Sequence, residues 1–562
     1  MGRRVYRAPG PRNTARDRGG DHAPWVDSGP LDPAATDLRL SWRVWIGLAL
    51  GACAIALLLH APGFGGPFIS DDVLYLEHNP AFSLPLAAAL RKVTLEAYYV
   101  LGNWSPVHQL FLLAEWRAFG ADPLPYRIVN ALLHAATALA MLAAGRRFGL
   151  SAGGAFAAAL LFLVHPVAAE PVGWINQSKT LLSVCFSLVA LERWLTWLAQ
   201  ASEASAQRAE GERSSSGRAP RTSLLVATTA AGAIALLAKP AAIPLPALLL
   251  LAAWTHAAPG TLRRVWVDLL PLAALGAIAF VLGLVAQATQ GGVAPWFGGG
   301  PLATAQILPW LTWRYVRLVF APIDLVHGVH PDPIAGWGDE RFTWPLAALV
   351  AVAFLLWRAC HLRRERWLAV AWFFGMLLPV LQVVPMINLF ADRYLYAALP
   401  GALWLLADVI ERPARRRGPG ALHAWVGVVA LVAVLFAGFA HGRARKWGDP
   451  TSLYREASIA YPNGRDGWTG LGAELHKQGD FDGAAASYLH SLAVFRDDAQ
   501  VRHLLGRVRL AQERRPEALY DLELSLRLAP NHHDAAWSRK MVETLRAQGV
   551  LPAPDEPTPA AP

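Results

Sequence analysis

Eleven runs of apolar residues divide this chain, and nothing else in it restricts the fold as severely. They fall at roughly 42 to 60, 125 to 145, 151 to 165, 179 to 199, 222 to 238, 241 to 256, 265 to 286, 343 to 358, 367 to 385, 394 to 410 and 422 to 440. A bilayer's hydrocarbon core is about 30 Å thick and is crossed by about 20 residues of helix. No water reaches the backbone there, so each spanning segment must satisfy its own N–H and C=O groups, which a helix does. The predicted fold class is therefore all-α, a polytopic membrane helix bundle of about 11 transmembrane helices over 42–440.

Composition agrees: 54% of the 562 residues are apolar and only 16% are charged, which an ordinary water-soluble domain does not need. The net charge of +10 is not a nucleic-acid footprint, because the arginines gather in short stretches between the apolar runs: "GRRFG" at 145, the Ser/Arg-rich 201–222, "TLRR" at 261, "CHLRRER" at 360 and "ERPARRRG" at 411. Cationic loops are retained on the cytoplasmic side. All of these stretches share a side with the N-terminus if 302–320, which carries Arg314 and Arg317, lies along the interface. Residues 61–124, 166–178, 287–342, 386–393 and everything after about 441 then face outward. The expected location is the inner (plasma) membrane, multi-pass, with a disordered basic cytoplasmic tail over 1–41. Cys53, Cys185 and Cys360 lie in or beside different runs with no ligand or disulfide spacing, and read as apolar filler.

Beyond 441 the chain turns polar and repeats with a period of 34. Leu471 and Gly472 align with Leu505 and Gly506, Ala484 with Ala518, Tyr488 with Leu522, and Ser491 with Ser525. Small and large residues at these places are the packing positions of a tetratricopeptide repeat, a helical hairpin that buries its core only by stacking on its neighbours. A soluble tetratricopeptide-repeat α-solenoid is predicted over 441–550, periplasmic by parity, with a helix near "DAAWSRKMVETLRAQG" as its cap and a disordered tail over 551–562.

The residues that bear chemistry fall on the outward face. Asp71 and Asp72, in "FISDDVLYLEHNP", have two readings: a helix start, with Ser70 or Asp71 as cap, or an acidic site. Ionisable groups at membrane depth usually have a partner or a task. Lys179, Lys239 and Arg393 together form a cationic lining suited to a phosphate, although each lysine alone would snorkel to the interface and Arg393 alone would pair with its neighbour Asp392. His165, His327 and His330 stand in no ligand pattern, and no metal site is assigned.

Seven short motifs occur in one order: "SDDVLYLEHNP", "NWSPVHQLF", "LPYRIVNALLHAATAL", "HPVAAEPVGWINQSKTLLS", "LLAKPAAIP", "DRYLYAALP" and "RKWGDPTSLYREASIAYPNGRDGWTGLG". In that order, over about 42–545, the chain resembles the transmembrane and tetratricopeptide-repeat O-mannosyltransferases, membrane glycosyltransferases of GT-C type. The resemblance implies that Asp71 and Asp72 are the catalytic motif and that a polyprenyl-phosphate sugar, with a mannose-like hexose, is the donor. It further implies that the acceptor is an extracytoplasmic hydroxyl, protein Ser/Thr, and attack opposite the leaving phosphate in a single displacement would invert the anomeric centre. No cofactor is certain, and the place of a divalent cation is open. Lys179, Lys239 and Arg393 would bind the donor phosphate. Trp104, His108, His165, Glu170, Trp174, Asn176, Asp392 and Tyr394 would line the acceptor or sugar pocket.

Chemistry bears independently on the same residues. A lipid phosphate leaves as a stabilised anion, so the reaction needs cations beside it and one base for the acceptor hydroxyl, without the second carboxylate of glycoside hydrolysis. Adjacent side chains diverge by about 100° on a helix, so the two aspartates are expected to divide roles, Asp71 as base and Asp72 as cap or orienter. The partners implied are the membrane lipid donor and an acceptor protein or peptide held by the repeats. The rival readings are transfer to an envelope lipid or polysaccharide, and a non-catalytic membrane scaffold. A transporter should show matching halves, and none is visible.

Overall fold

The structure, a computed structural model, describes residues 41–95, 103–209, 221–257, 262–289, 296–386, 388–532 and 534–554. Most of the expected tails, 1–40 and 555–562, lie outside these residues, as does 210–220 of the Ser/Arg-rich stretch. In chain order the first helices are α1 (Trp42–His60), α2 (Asp72–Tyr75), α3 (Leu86–Leu95), α4 (Pro106–Phe119), α5 (Pro123–Arg147), α6 (Ala152–Leu163), α7 (Ala169–Gly173) and α8 (Ser178–Ala209). There follow α9 (Thr222–Ala238), α10 (Leu245–His256), α11 (Leu262–Thr289), α12 (Pro301–Phe320), α13 (Glu340–His361), α14 (Arg366–Leu377), α15 (Asp392–Arg417) and α16 (Pro419–Trp447). The polar C-terminal part holds α17 (Pro450–Ala460), α18 (Arg465–Lys477), α19 (Phe481–Val494), α20 (Ala499–Ala511), α21 (Arg515–Leu528) and α22 (Ala535–Ala547). The described residues contain no β-strand, only an isolated bridge between Val329 and Phe390. The fold is an all-α polytopic membrane bundle.

The number of spans is smaller than the apolar runs predict. Among the described residues seven helices, α1, α5, α8, α11, α13, α15 and α16, are long and apolar enough to cross a membrane, and the pair α6 and α7, bent by 47°, makes an eighth if it counts as one broken span. The other three runs also form helices, but α9 has 17 residues and α10 and α14 have 12 each. At 1.5 Å per residue, 12 residues reach about 18 Å, short of the hydrocarbon thickness. A proline stands at one end of each: Pro240 follows the end of α9, Pro244 caps α10, and Pro379 follows α14, where its missing N–H cannot extend the helix, whereas Pro271, Pro345 and Pro400 are accommodated inside α11, α13 and α15. Apolarity averaged over side chains does not register these breaks.

α5 and α8 form the middle of the bundle, packed on each other, with α9 against α8 and α14 against α15. Burial separates central helices from lipid-facing ones: 78% of the apolar window of α8 is inside the protein, against 6% for α13, whose Val350, Phe354 and Leu355 are exposed. A helix apolar on all sides fits either setting. Only α8 carries the lysine and serines that need a protein interior.

Arg127, on α5, ties the connecting segments together. Fully buried, it donates to the carbonyl oxygens of Gly173 at 3.0 Å and Phe64 at 3.2 Å, and to those of Gly66 and Pro67. The segment after α1 is thereby fixed against the end of α7.

In the C-terminal part α17 packs on α18, α18 on α19, α20 on α21, and α22 on α21. The aligned glycines are where helices touch: a Cβ on Gly472 would stand 2.6 Å from the Tyr488 ring, and one on Gly506 would stand 2.9 Å from Leu522. The core of these helices does not stop at the boundary expected near 441. Leu453, Tyr454, Leu471, Tyr488 and Leu505 share one apolar cluster with Trp447 of α16 and with Ile69, Ala169 and Trp174 of the bundle's connecting segments.

Candidate active site

α2 is a four-residue helix, too short to owe its stability to propensity, so its place is set by tertiary contacts. Ser70 precedes it with φ of +53°, a left-handed conformation costly for a residue with a Cβ. Asp71 occupies the N-cap position, yet its side chain makes no capping bond. Its carboxylate instead faces a large cavity, with the Ser70 hydroxyl donating to Oδ1 at 3.1 Å and Asn176 Nδ2 donating to Oδ2 at 3.3 Å.

Asp72 points the other way and is completely buried. Its Oδ2 accepts the Ile69 N–H at 3.1 Å, and its Oδ1 accepts the Asn176 N–H at 2.8 Å. Burial pushes its carboxyl up to about 7, against the two backbone donors and the Arg127 guanidinium. Adjacent side chains thus diverge as their spacing requires. One enters the cavity, while the other pins the loop.

The cavity, about 2240 Å³, has three regions. In the middle lie Asp71, Lys179, Lys239, Arg393, Trp174, Trp104, Tyr394 and His327. On one side its walls are apolar, from Leu248 and Leu251 of α10, Phe280 and Leu284 of α11 and Phe374 of α14. On the other it opens onto the helices after 465, along Thr469, Ala473, Lys477 and Arg507.

The three cations are held differently. Lys179 Nζ lies over the Tyr75 ring at 5.0 Å. Lys239 Nζ donates to Thr180 Oγ1 at 2.9 Å and lies over the Tyr394 ring at 5.7 Å. Arg393 does not pair with Asp392, as sequence adjacency suggests. Its Nη1 meets Glu170 Oε1 at 2.7 Å, and its backbone N–H donates to Glu170 Oε2 at 2.9 Å. Its guanidinium lies over Trp174 at 4.9 Å and Tyr394 at 5.1 Å. His327 Nδ1 comes within 3.6 Å of the same Glu170 oxygen.

Of the thirteen residues predicted from sequence, seven line this cavity: Asp71, Trp104, Trp174, Lys179, Lys239, Arg393 and Tyr394. Asp72, Asn176 and Glu170 do not line it: Asn176 bonds to Asp71 and Glu170 to Arg393, while Asp72 holds Ile69 and Asn176. Three belong elsewhere. His108 is buried against Ser178 Oγ at 3.1 Å and the Tyr75 ring. His165 caps the turn 166–168 by accepting the Val167 N–H at 3.3 Å, with its ring edge-on to Phe436. Asp392 is buried at the start of α15, with its side chain outside the cavity wall.

Sequence reading passed over Arg127, an ionisable residue inside an apolar run and hence detectable by its cost. It also passed over the joint below α16, where Trp447 stacks on Trp174 at 5.9 Å and His327 is edge-on to Trp174, Trp447 and Tyr454 at 5.4, 5.4 and 5.5 Å. Gly173 permits that stack, because a Cβ there would stand 2.6 Å from Trp447 Cβ.

Fold and site together define a polytopic all-α membrane protein with a charged cavity enclosed between its bundle and its C-terminal helices. Within that class the chain resembles Protein O-mannosyl-transferase Tmtc1 of Drosophila melanogaster, with 30% identity over 159 residues. That match covers 27% of this chain and 18% of the fly protein's length. No family model matches the chain. Among solved structures it is similar to the Archaeoglobus fulgidus oligosaccharyltransferase tethered with an acceptor peptide, with a TM-score of 0.44, 14% identity, and coverage of 72% of this chain and 56% of that one. It is also similar to ArnT from Cupriavidus metallidurans bound to undecaprenyl phosphate, with a TM-score of 0.37, 15% identity, and coverage of 91% and 90%.

Proposed function

We propose that this protein is a GT-C membrane glycosyltransferase that moves a mannose-like hexose from a polyprenyl-phosphate donor to an acceptor hydroxyl, protein Ser/Thr, on the outer side of the inner membrane. One observation carries the reading. Asp71 shares a single cavity with Lys179, Lys239 and Arg393, apolar at one end and bounded by the C-terminal helices at the other. The likeness to the fly O-mannosyl-transferase supports the choice of sugar and acceptor.

In this reading the isoprenoid chain lies along the apolar walls and the phosphate sits among the cations. Lys179 and Lys239 hold the phosphate, because Arg393 is already engaged by Glu170. Asp71 takes the proton of the acceptor hydroxyl as its oxygen attacks the anomeric carbon. The bond from that carbon to the phosphate oxygen breaks, polyprenyl phosphate departs with the electron pair, and the configuration inverts. The tetratricopeptide-like hairpins present the acceptor.

The test is incubation of the purified protein with undecaprenyl-phosphate sugars labelled in the sugar, together with envelope extract. Label in protein is expected. Label confined to lipid or polysaccharide would move the acceptor to the rival class, and no transfer from any donor would overturn the enzyme reading. Topology is checked by reporters after Arg147, within 201–221 and after Pro530. The first two should be cytoplasmic and the last periplasmic, and a cytoplasmic reporter after Pro530 would remove the acceptor from the active site's side.

A further inference from the structure

Asn176 bonds to both aspartates through different atoms. Its backbone N–H donates to Asp72 Oδ1 at 2.8 Å and its side-chain Nδ2 to Asp71 Oδ2 at 3.3 Å. It lies in the turn 175–177, directly before the helix that carries Lys179, and is 1% exposed. Its Oδ1 is buried without a hydrogen-bond partner. A buried amide that leaves one of its polar atoms unsatisfied is a poor choice for stability alone. What it gains is the bond to Asp71.

We propose that Asn176 is a positioning residue for the base, its side chain fixing the Asp71 carboxylate relative to the cations while its backbone anchors that same turn to Asp72. This deepens the transfer reading above and rests on it. The two bonds separate structure from function. Replacing the side chain leaves the backbone bond to Asp72, and with it the fold of the loop, but frees one oxygen of Asp71. The Ser70 hydroxyl alone then holds the carboxylate, which can rotate away from the attacking oxygen. Misplacement of a reacting group by about 1 Å costs about 10²-fold in rate.

The experiment uses the full-length protein in detergent with the undecaprenyl-phosphate sugar that the wild type turns over. Asn176→Leu keeps the branched four-atom shape and discards the unsatisfied oxygen, so thermal melting should hold. We expect kcat to fall about 10²-fold with donor KM within about twofold. In an Asp71→Asn background the same replacement should cost nothing further, since the group it positions is gone. If Asn176→Leu fails to fold, Asn176→Ala removes the donor without placing a charge beside Asp71, and should show the same loss. Wild-type kcat, or an equal loss in both backgrounds, would overturn the proposal. An active Asp71→Asn single variant would instead remove Asp71 as the base, and a wild type that transfers no sugar would overturn the transfer reading, so the failures are distinguishable.

Discussion

Paired substitution of Asp71 and Asp72 separates base from brace. Asp71→Asn removes the proposed proton acceptor and should lower turnover by about 10²–10⁴-fold, about 3–5 kcal/mol of barrier at 1.36 kcal/mol per decade. Its effect on stability should be small. The side chain makes no capping bond, and asparagine retains an oxygen able to accept from Ser70 or Asn176. Asp72→Asn should behave in the opposite way. Both Asp72 oxygens accept buried backbone N–H groups, while an amide offers one oxygen, so one N–H is left facing another donor at about 1–3 kcal/mol. Activity per folded molecule should fall less than for Asp71→Asn, because Asp72 acts on the reaction only through the loop it holds. The assay is sugar transfer normalised to folded protein, with melting measured on the same samples. A stable, inactive Asp72→Asn beside an active Asp71→Asn would reverse the assignment, and full activity in both would remove the acidic pair from catalysis.

Burial raises two carboxyls outside the spans, Asp72 to about 7 and Glu115 to about 8, from ordinary values of 3.8 and 4.5. Between those limits the unfolded chain holds fewer protons than the folded one, so their contribution is complete below about pH 4 and is lost as pH rises to about 8. Glu115→Gln should therefore gain stability relative to wild type as pH increases over that range, and a gain that shrinks with pH in denaturant titrations would contradict the assignment. Lys239→Met removes a charged donor from the proposed phosphate site, worth about 1.5–3 kcal/mol, so on that reading donor KM should rise about 10- to 100-fold in steady-state assays. Gly472→Ala places a methyl 2.6 Å from the Tyr488 ring, which is fully buried, and overpacking of this kind costs about 1–3 kcal/mol. Unchanged melting would show that these helices are not held by that contact.

The apolar runs were legible because membrane insertion acts on side-chain polarity, which composition displays directly. All eleven are helices, and their count as spans fell where α9, α10 and α14 are short and where α6 is bent from α7, breaks that a hydropathy average does not register. The cationic residues could be read as a group because charges near membrane depth are costly. Their pairing could not, since Arg393 and Glu170 are 223 positions apart and only the packing of α7 against α15 brings them together. Sequence favoured Asp71 as base because it comes first in the pair and Asp72 is better placed within the helix start. The structural ground is different: Asp72 is consumed by Ile69, three positions before it, and by Asn176, 104 positions beyond it, and the second bond has no local signature.

The charge balance of the cavity follows from the same pairings. Three cations on one wall with no counter-charge would repel each other strongly at low dielectric. Glu170 neutralises Arg393 at 2.7 Å, and Asp71, ionised as a base must be, offsets one lysine. The remaining positive charge matches the single negative charge of a phosphodiester donor. As the anomeric bond breaks, the departing phosphate gains negative charge while Asp71 loses its own by taking the acceptor proton. Both changes strengthen the hold of Lys179 and Lys239 on the leaving group. On the proposed reaction the cations therefore bind the transition state better than the donor, which is the condition for raising turnover and not affinity alone. Freeing Arg393 by Glu170→Gln would tighten the resting site on the donor's charge without adding to that difference, so it should lower KM with no gain in kcat. A rise in kcat would show that the present balance is not what tunes the site.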